Sequence, residues 1–523
     1  MGLDKRQNNY RRETTKKTNA NTHLSADQNA VEVSSLHRFY IVMFSIFVSF
    51  FSVAMPFFTD FGNALQSQNL YTGFMMTQNH LPYSDIFSTG GFLYYAVIAL
   101  SYLLGGSIWL VLVQFASFYF SGIYLYKIVY HMTGKEEVTI NTILLFYLAN
   151  FALGFGGLYP VQFAMPFVFL SLWFLTKYFA GLTRDEGFII YGLTGALAYL
   201  IEPRTLFFWL VSLVIICIYN VKHHQHARGF YQFLCIVFGG ILVFYILGYF
   251  VLNMQILSSY IAQAGTYYFT HFALGKDDIL LTILFQIFIL FASGLLMGAL
   301  TFFNHIKREN DRDDLIKSIV FLSFVFSLIF ILLSQSFATY QFLLLLPFGL
   351  VLTGLYLDDE YKESLKRKSR RRKQYRRLSH KVFDLFLLRH FYLPCLLFAY
   401  GLAQPSIHYI SSYHLNQERA QIADYIRENT DEKTRIYAWD SSAKIYFDAS
   451  RRSSAQFPLP MVNTAKQSNR KALEDELLQN EATYVAVNEK SKQLPSVLKQ
   501  NFSNNYKVVS LKNSSDFTVY QRK

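Results

Sequence analysis

The sequence predicts a polytopic α-helical membrane protein of about eleven spans, followed by a small C-terminal extracytoplasmic α/β domain. Three observations predict it. The 523-residue chain is 52% hydrophobic and 18% aromatic, with 52 Phe, a composition outside the usual range of soluble domains. Apolar runs of span length recur from Phe39 to position 404, and the turns between them alternate between rich and poor in Lys and Arg. Beyond Pro405 the pattern changes to short alternating segments and amphipathic stretches.

Residues 1–37 form a polar, basic arm with no cleavable signal and too little apolar content to fold alone. The first span runs from about Phe39 to Phe58, and the arm before it sets the N-terminus in the cytoplasm. The loop at 59–106 is then outside. Its apolar piece, Phe92–Leu104, is too short to cross and reads as a helix lying in the outer interface. Further spans follow at about 108–130, 139–157, 161–178, 188–202, 205–221, 230–253, 279–303, 316–334, 341–357 and 385–404. Lys177 with Arg184, Lys222 with Arg228, and Lys307 with Arg308 and Arg312 then fall inside. The transmembrane domain is 38–404. In the tail, 405–523, segments 434–439, 483–487, 507–511 and 517–521 read as strands and 416–429 and 471–479 as helices.

The formal net charge of +13 is concentrated, with eleven Lys and Arg between Lys362 and Lys381. A basic cluster abutting a span reports orientation and anionic lipid headgroups, which excludes nucleic acid as the partner. Cys217, Cys235 and Cys395 all lie in apolar runs, so neither a disulfide framework nor a zinc spacing is available. The absence of cysteine from the tail fits a bacterial cell surface. No metal is assigned by the sequence, and the need for a divalent ion is left open.

The polar stretch from Thr59 to Gly91 is the centre of interest. Asp60 follows directly on a membrane exit, and Asp85 closes a Pro-Tyr-Ser-Asp turn near the return. Carboxylates at such a boundary are costly and mark function. Three more polar turns face the same side: Gly157-Leu-Tyr-Pro160, Ile201-Glu-Pro-Arg-Thr205 and Ser334 to Gln341. The outer segment at 258–276 adds Tyr260, Tyr267, Tyr268 and His271. This is the inventory for sugar transfer from a lipid-phosphate donor. A carboxylate takes the acceptor's proton, an arginine meets the departing phosphate, and aromatics stack on sugar. Asp60 is the candidate base and Arg204 the candidate phosphate partner. Asp85, Glu202, Tyr159, Tyr340 and Gln341 are candidate substrate contacts. Structural roles compete with these: Asp60 as a helix cap, Asp85 as a turn residue, Glu202 and Arg204 as a pair closing two short spans, and His271 as an exposed loop residue. The run of His223, His224 and His226 falls on the cytoplasmic side, at the headgroups.

The order of these motifs resembles the GT-C superfamily of polyprenyl-phosphate-dependent membrane glycosyltransferases, and within it the protein O-mannosyltransferase and aminoarabinose-transferase group. The resemblance rests on Asp60 after the first span, the small-residue helix at 62–70 and the Asn79-His-Leu-Pro-Tyr-Ser-Asp85 turn. It continues through Gly91-Phe-Leu-Tyr-Tyr95, Gly105-Gly106, Thr339-Tyr-Gln to Pro347, and the tail segments Ala423 to Asn429, Arg435 to Asp440 and Ile445-Tyr-Phe447. Two positions depart from the group: Phe61 stands where many members carry Glu, and Thr339-Tyr-Gln where many carry His-Tyr. Both bear on metal use and donor identity. The resemblance implies a hexosyl- or pentosyltransferase acting at the outer face on a cell-wall polymer, glycolipid or protein, with Asp60 as its acid. A transporter or flippase for lipid-linked sugars is the alternative.

Overall fold

The computed structural model describes residues 31–267, 279–306, 311–334, 336–370, 392–511 and 515–523. Most of the basic arm, Tyr268 and His271 of the outer segment, and the greater part of the 362–381 cluster lie outside the described residues.

Helices α1 (Ser35–Phe50), α2 (Ala64–Thr77), α3 (Phe92–Leu103), α4 (Ile108–Thr133), α5 (Glu136–Leu153), α6 (Pro160–Phe179), α7 (Phe188–Ile201), α8 (Leu206–Lys222) and α9 (His226–Asn253) build the first half of the bundle. Helices α10 (Ile279–Ala292), α11 (Leu295–Ile306), α12 (Asp311–Ser334), α13 (Leu346–Arg370) and α14 (Tyr392–Glu428) complete it. Six helical segments among the described residues are long and apolar enough to cross a membrane. A seventh is added if α10 and α11, bent by 85° at their break, count as one span. The other expected spans fall on helices that are shorter or less apolar. The Phe92–Leu103 helix has only 12 residues, about 18 Å at the α-helical rise, less than a bilayer core.

Burial sorts the helices into an inner and an outer set. Along α6, 78% of the apolar window is buried, against 22% along α9. Helix α9 exposes Phe230, Phe233, Phe238, Ile241, Tyr245 and Tyr249. Such a face would be a liability in water and is ordinary against lipid. The two sets meet by small-residue packing. A Cβ at Gly192 of α7 would stand 2.1 Å from the Ile236 carbonyl oxygen of α9, and one at Gly239 would stand 2.0 Å from that of Ile189, so the backbones touch where only glycine fits.

The tail carries a five-stranded sheet in the order β2-β1-β3-β5-β4, from β1 (Arg435–Trp439), β2 (Arg452–Ser453), β3 (Tyr484–Asn488), β4 (Tyr506–Val509) and β5 (Phe517–Arg522). Strands β2, β1 and β3 are parallel, with Tyr437 opposite Val485, and β5 runs antiparallel to both β3 and β4. Helices α15 (Lys444–Ala449), α16 (Gln467–Leu478) and α17 (Ser496–Asn505) fill the crossovers. One expectation is revised here. The last span and the amphipathic helix of the tail are one helix, α14, with Pro405 inside it. Arg419 of α14 reaches the sheet, where its Nε and Nη2 donate to the fully buried Asp440 carboxylate at 2.6 and 2.8 Å.

The sheet does not hang free. Tyr71 and Met75 of α2 and Ile86 of the following turn belong to the same hydrophobic cluster as Ile422, Ala423 and Ile426 of α14 and Ile436, Ala438 and Tyr446 of the tail. The loop at 59–106 is therefore packed between the bundle and the tail.

Candidate active site

Asp60 sits in a 3-10 turn, Pro56–Phe61, between α1 and α2. It does not cap α2. Asn63 does that, with a reciprocal box: the Gln66 N–H donates to Asn63 Oδ1 at 3.0 Å and the Asn63 N–H to Gln66 Oε1 at 2.9 Å. The Asp60 carboxylate is thus half-buried without a backbone task of that kind. Its neighbour Phe61 stacks on Tyr409 of α14 at 4.3 Å, which fixes the turn against the tail.

The other polar turns are bonded to the same loop. Asn63 Nδ2 donates to the Tyr159 hydroxyl at 2.6 Å, and Gln66 Nε2 to the Phe155 carbonyl at 2.6 Å. The Tyr94 hydroxyl donates to the Leu158 carbonyl at 2.9 Å. The Gly91 N–H donates to the Ile201 carbonyl at 3.0 Å. A Cβ at Gly91 would stand 2.0 Å from the Leu200 oxygen, so this approach of the loop to the end of α7 requires glycine. Tyr159 is buried and stacks on Tyr340 at 4.5 Å and 11°. Gln341 accepts from Ser334 at 2.5 Å, tying the last polar turn to α12. Gln263 bonds Ser88 and Tyr83 at 3.0 and 2.8 Å, which brings in the segment after α9.

Glu202 and Arg204 form one unit. Arg204 Nε and Nη2 donate to the two Glu202 carboxylate oxygens, each at 2.8 Å. Glu202 is 1% exposed, so this is a bidentate, desolvated pair. Beside it, between α3, α4 and α6, lies an apolar cavity of about 440 Å³, lined by Leu93, Tyr94, Val97, Phe120, Phe163 and Ile201 among others.

Asp85 is not brought to this place. It follows the other end of α2, a helix of 14 residues and so about 21 Å long at 1.5 Å per residue. Its Oδ2 accepts the Leu81 N–H at 2.8 Å, and His80 Nδ1 is 3.6 Å from it. It borders a polar cleft of about 250 Å³ shared with Arg435, Arg452 and Glu476.

The residue that sequence reading missed is Lys444. From α15 in the tail its Nζ reaches Asp60 Oδ1 at 3.2 Å and Asp448 Oδ2 at 3.3 Å. Burial works against its charge, but the Asp448 and Asp60 carboxylates outweigh that and hold its pKa above the ordinary lysine value. Burial likewise lifts Asp448 above the usual carboxylate range against the pull of Lys444. The sequence held one indirect signal. No Lys or Arg occurs between Thr59 and Ser107, so any Lys or Arg at Asp60 has to come from another segment. One further group among the described residues, His414, Glu418 and Asp516, gathers its ligand atoms within 4.8 Å. Lys490 already pairs with Asp516 at 2.7 Å and the Ser515 N–H with Glu418 at 3.0 Å, so it works as an ion-pair network.

No curated protein matches the chain. Among the solved structures that share its fold are two of ArnT. The crystal structure of ArnT from Cupriavidus metallidurans bound to undecaprenyl phosphate is 12% identical, with a TM-score of 0.54, over 92% of this chain and 97% of that one. ArnT from the same organism in the apo state is also 12% identical, with a TM-score of 0.50, over 87% of this chain and 92% of that one. The GT-C fold expected from the motif order is the fold the chain has. Residues 26–413 match the family described as "Putative competence-induced protein Ccs4 N-terminal domain" and residues 416–523 match the Ccs4 C-terminal domain, so the chain belongs to the Ccs4 family.

Proposed function

We propose that this chain is an integral membrane glycosyltransferase that moves a sugar from a polyprenyl-phosphate donor to a cell-surface acceptor at the outer face. The observation that carries the reading is the joining of the turns at 59–63, 154–160 and 334–341 through Asn63, Tyr159 and Tyr340, with the 201–205 turn bonded to the same loop at Gly91 beside an apolar cavity. In this reading the bundle has eleven spans, with residues 1–37 in the cytoplasm and the 405–523 domain outside. The acceptor's oxygen attacks the anomeric carbon and its proton passes to the Asp60 carboxylate. The bond from the anomeric carbon to the donor's phosphate oxygen breaks, and its electron pair leaves with the phosphate. Arg204, oriented by Glu202, steadies that charge. The stacked Tyr159 and Tyr340, with Gln341, line the sugar's approach, and the apolar cavity takes the polyprenyl chain. That an ArnT structure of this fold holds undecaprenyl phosphate supports the donor class. Asp85 serves as a distal acceptor contact, and the 362–381 cluster sits on anionic headgroups.

Asp60→Asn keeps size and removes the base. Transfer in proteoliposomes should fall by about 10²–10⁴-fold with no change in Tm, and full activity of the variant would sink the assignment. Single cysteines at positions 79, 135 and 429, in a background without the native three, test the topology. An impermeant maleimide should label 79 and 429 in intact cells and leave 135 untouched.

A second reading, a flippase for lipid-linked sugars, draws on the 85° break between α10 and α11, since broken helices carry sites in transporters. It predicts movement of labelled lipid across liposomes with no new glycosidic bond. The polar turns gather at one end of the bundle and not at its middle, which favours the transferase.

A further inference from the structure

We propose that the tail domain completes the active site by supplying Lys444 as a second cation, in addition to Arg204, that meets the donor's phosphate. The inference rests on the transferase reading and assigns it a residue from outside the membrane bundle.

Three observations carry it. The first is position. Lys444 Nζ lies 3.2 Å from the Asp60 carboxylate, although the two residues stand at opposite ends of the chain. The second is how firmly that position is held. The Ala443 N–H donates to Ser67 Oγ of α2 at 2.8 Å, and the Ser453 N–H to the Tyr71 hydroxyl at 2.8 Å. Tyr446 packs on Tyr71 at 5.1 Å, and Phe447 on Phe74 at 5.3 Å. The start of α15 is thus riveted to the helix that follows Asp60. The third is the state of the other cation. Arg204 is locked in a bidentate pair with a buried carboxylate, so its planar fork is oriented but already engaged. Lys444 is a point charge on a flexible stem with three donors, half-buried and shared between two carboxylates. It can turn from Asp60 to an arriving phosphate without leaving Asp448.

The chemistry follows from that turn. In the structure the Asp60 carboxylate is occupied by the Lys444 ammonium at 3.2 Å. When a phosphate oxygen takes the ammonium, that carboxylate oxygen is uncovered and can receive the acceptor's hydroxyl. Lys444 then sits where negative charge grows on the leaving phosphate as the anomeric bond breaks. Donor binding and base activation become one event, and a site without its donor stays idle.

Undecaprenyl phosphate is the probe, titrated against the full-length protein in nanodiscs, with undecaprenol as the uncharged control. Lys444→Gln should weaken the phosphate lipid by roughly ten- to a hundredfold and leave undecaprenol unchanged. Lys444→Arg should stay within about threefold of wild type. A lysine that only latches the tail would lower Tm and leave the affinity where it was. Lys444→Gln binding the phosphate lipid as tightly as wild type would therefore overturn the proposal. Asp448→Asn gives an independent reading if Lys444→Gln fails to fold. Removing the competing carboxylate should tighten the phosphate lipid by about threefold, and unchanged or weaker binding counts against the role. Failure of the wild type to bind the phosphate lipid overturns the transferase reading as well, whereas equal binding by wild type and Lys444→Gln removes only the lysine.

Discussion

The two ends of α2 carry two acids of one loop, and the fold treats them in opposite ways. Asp85 is absorbed by its own turn: its carboxylate accepts the Leu81 N–H and has His80 of that turn at 3.6 Å, while Arg435 and Arg452 of the tail border the same cleft and Phe457 stacks on Phe87 at 4.9 Å. At the Asp60 end the helix cap is already made by Asn63, and the tail contributes a charge, Lys444. An acid whose local hydrogen-bonding duty is done by a neighbour remains available for chemistry. An acid that closes a turn has less left to offer. The comparison also separates the two surfaces by what surrounds them: polar turns joined through Asn63, Tyr159 and Tyr340 on the Asp60 side, a polar cleft beside Asp85.

The sharpest way to test this contrast is to neutralise each acid in turn. Asp60→Asn should cost about 10²–10⁴-fold in transfer. Asp85→Asn keeps an oxygen for the Leu81 N–H and should cost less than about tenfold, seen in acceptor KM and not in kcat. Equal losses from the two variants would erase the distinction between the ends.

The next largest effect should come from cutting the tail loose. Arg419 and Asp440 are both nearly fully buried, and Asn488 adds a 2.7 Å bond to the same carboxylate. Arg419→Ala leaves that carboxylate buried without its counter-charge, which costs about 3–5 kcal/mol. The sheet, and Lys444 with it, should lose its seat on α2. Thermal unfolding and protease sensitivity of the 429–434 connection read this directly. A variant with unchanged Tm and unchanged affinity for undecaprenyl phosphate would show that the dock does not govern the site.

How much of this could be read from residues alone depends on the range of the interactions. Six of the span-length apolar runs, or seven with the bent pair, and the short Phe92–Leu103 helix were legible among the described residues because helix length and lipid thickness are linked locally. The strands at Arg435–Trp439, Tyr484–Asn488 and Phe517–Arg522 were legible from alternation. Helix α15, with six residues, and β2, with two, are too short for any periodicity to show. Pro405 misled, since it argues for a helix end. The chain continues through it because α14 is held at both sides: at Gly401, where a Cβ would stand 2.5 Å from the Phe151 ring, and at Arg419 by the sheet. Charge alternation sets the polar turns on one expected side, but their actual bonds, Asn63 to Tyr159 and Gly91 to Ile201, have no signature in spacing. The Lys444–Asp60 contact has none either, because it depends on how the tail folds back.

A smaller effect should come from the hydroxyl that joins the loop to the 154–160 turn. Tyr159→Phe keeps the stack on Tyr340 and deletes the acceptor of the Asn63 bond. The loss should be about 1 kcal/mol of stability, with activity reduced by less than about tenfold. If transfer falls as far as in Asp60→Asn, the hydroxyl touches substrate and its role is larger than positioning.

The smallest effect is one of pH. His408 of α14 lies against the Phe155 ring at 5.5 Å, and burial holds its pKa below the ordinary 6.5, against the pull of the Gly62 backbone and with help from Arg419. Above pH 6.5 neither the folded nor the unfolded chain holds the proton, so stability is level. Between 6.5 and the lower folded-state value the unfolded chain binds it and the folded one does not, and stability falls as the solution is acidified. Below the folded value the curve levels again. His408→Gln removes the titration, so the difference in Tm between pH 7.5 and pH 5 should shrink relative to wild type. Because His408 bears on Gly62, two residues from Asp60, the same acidification should loosen the Asp60 end of α2 before the Asp85 end. Hydrogen exchange at the amides of 60–63 should accordingly gain on that at 81–85 in the wild type and lose that lead in His408→Gln. A lead that persists in the variant would assign the acid sensitivity to another group.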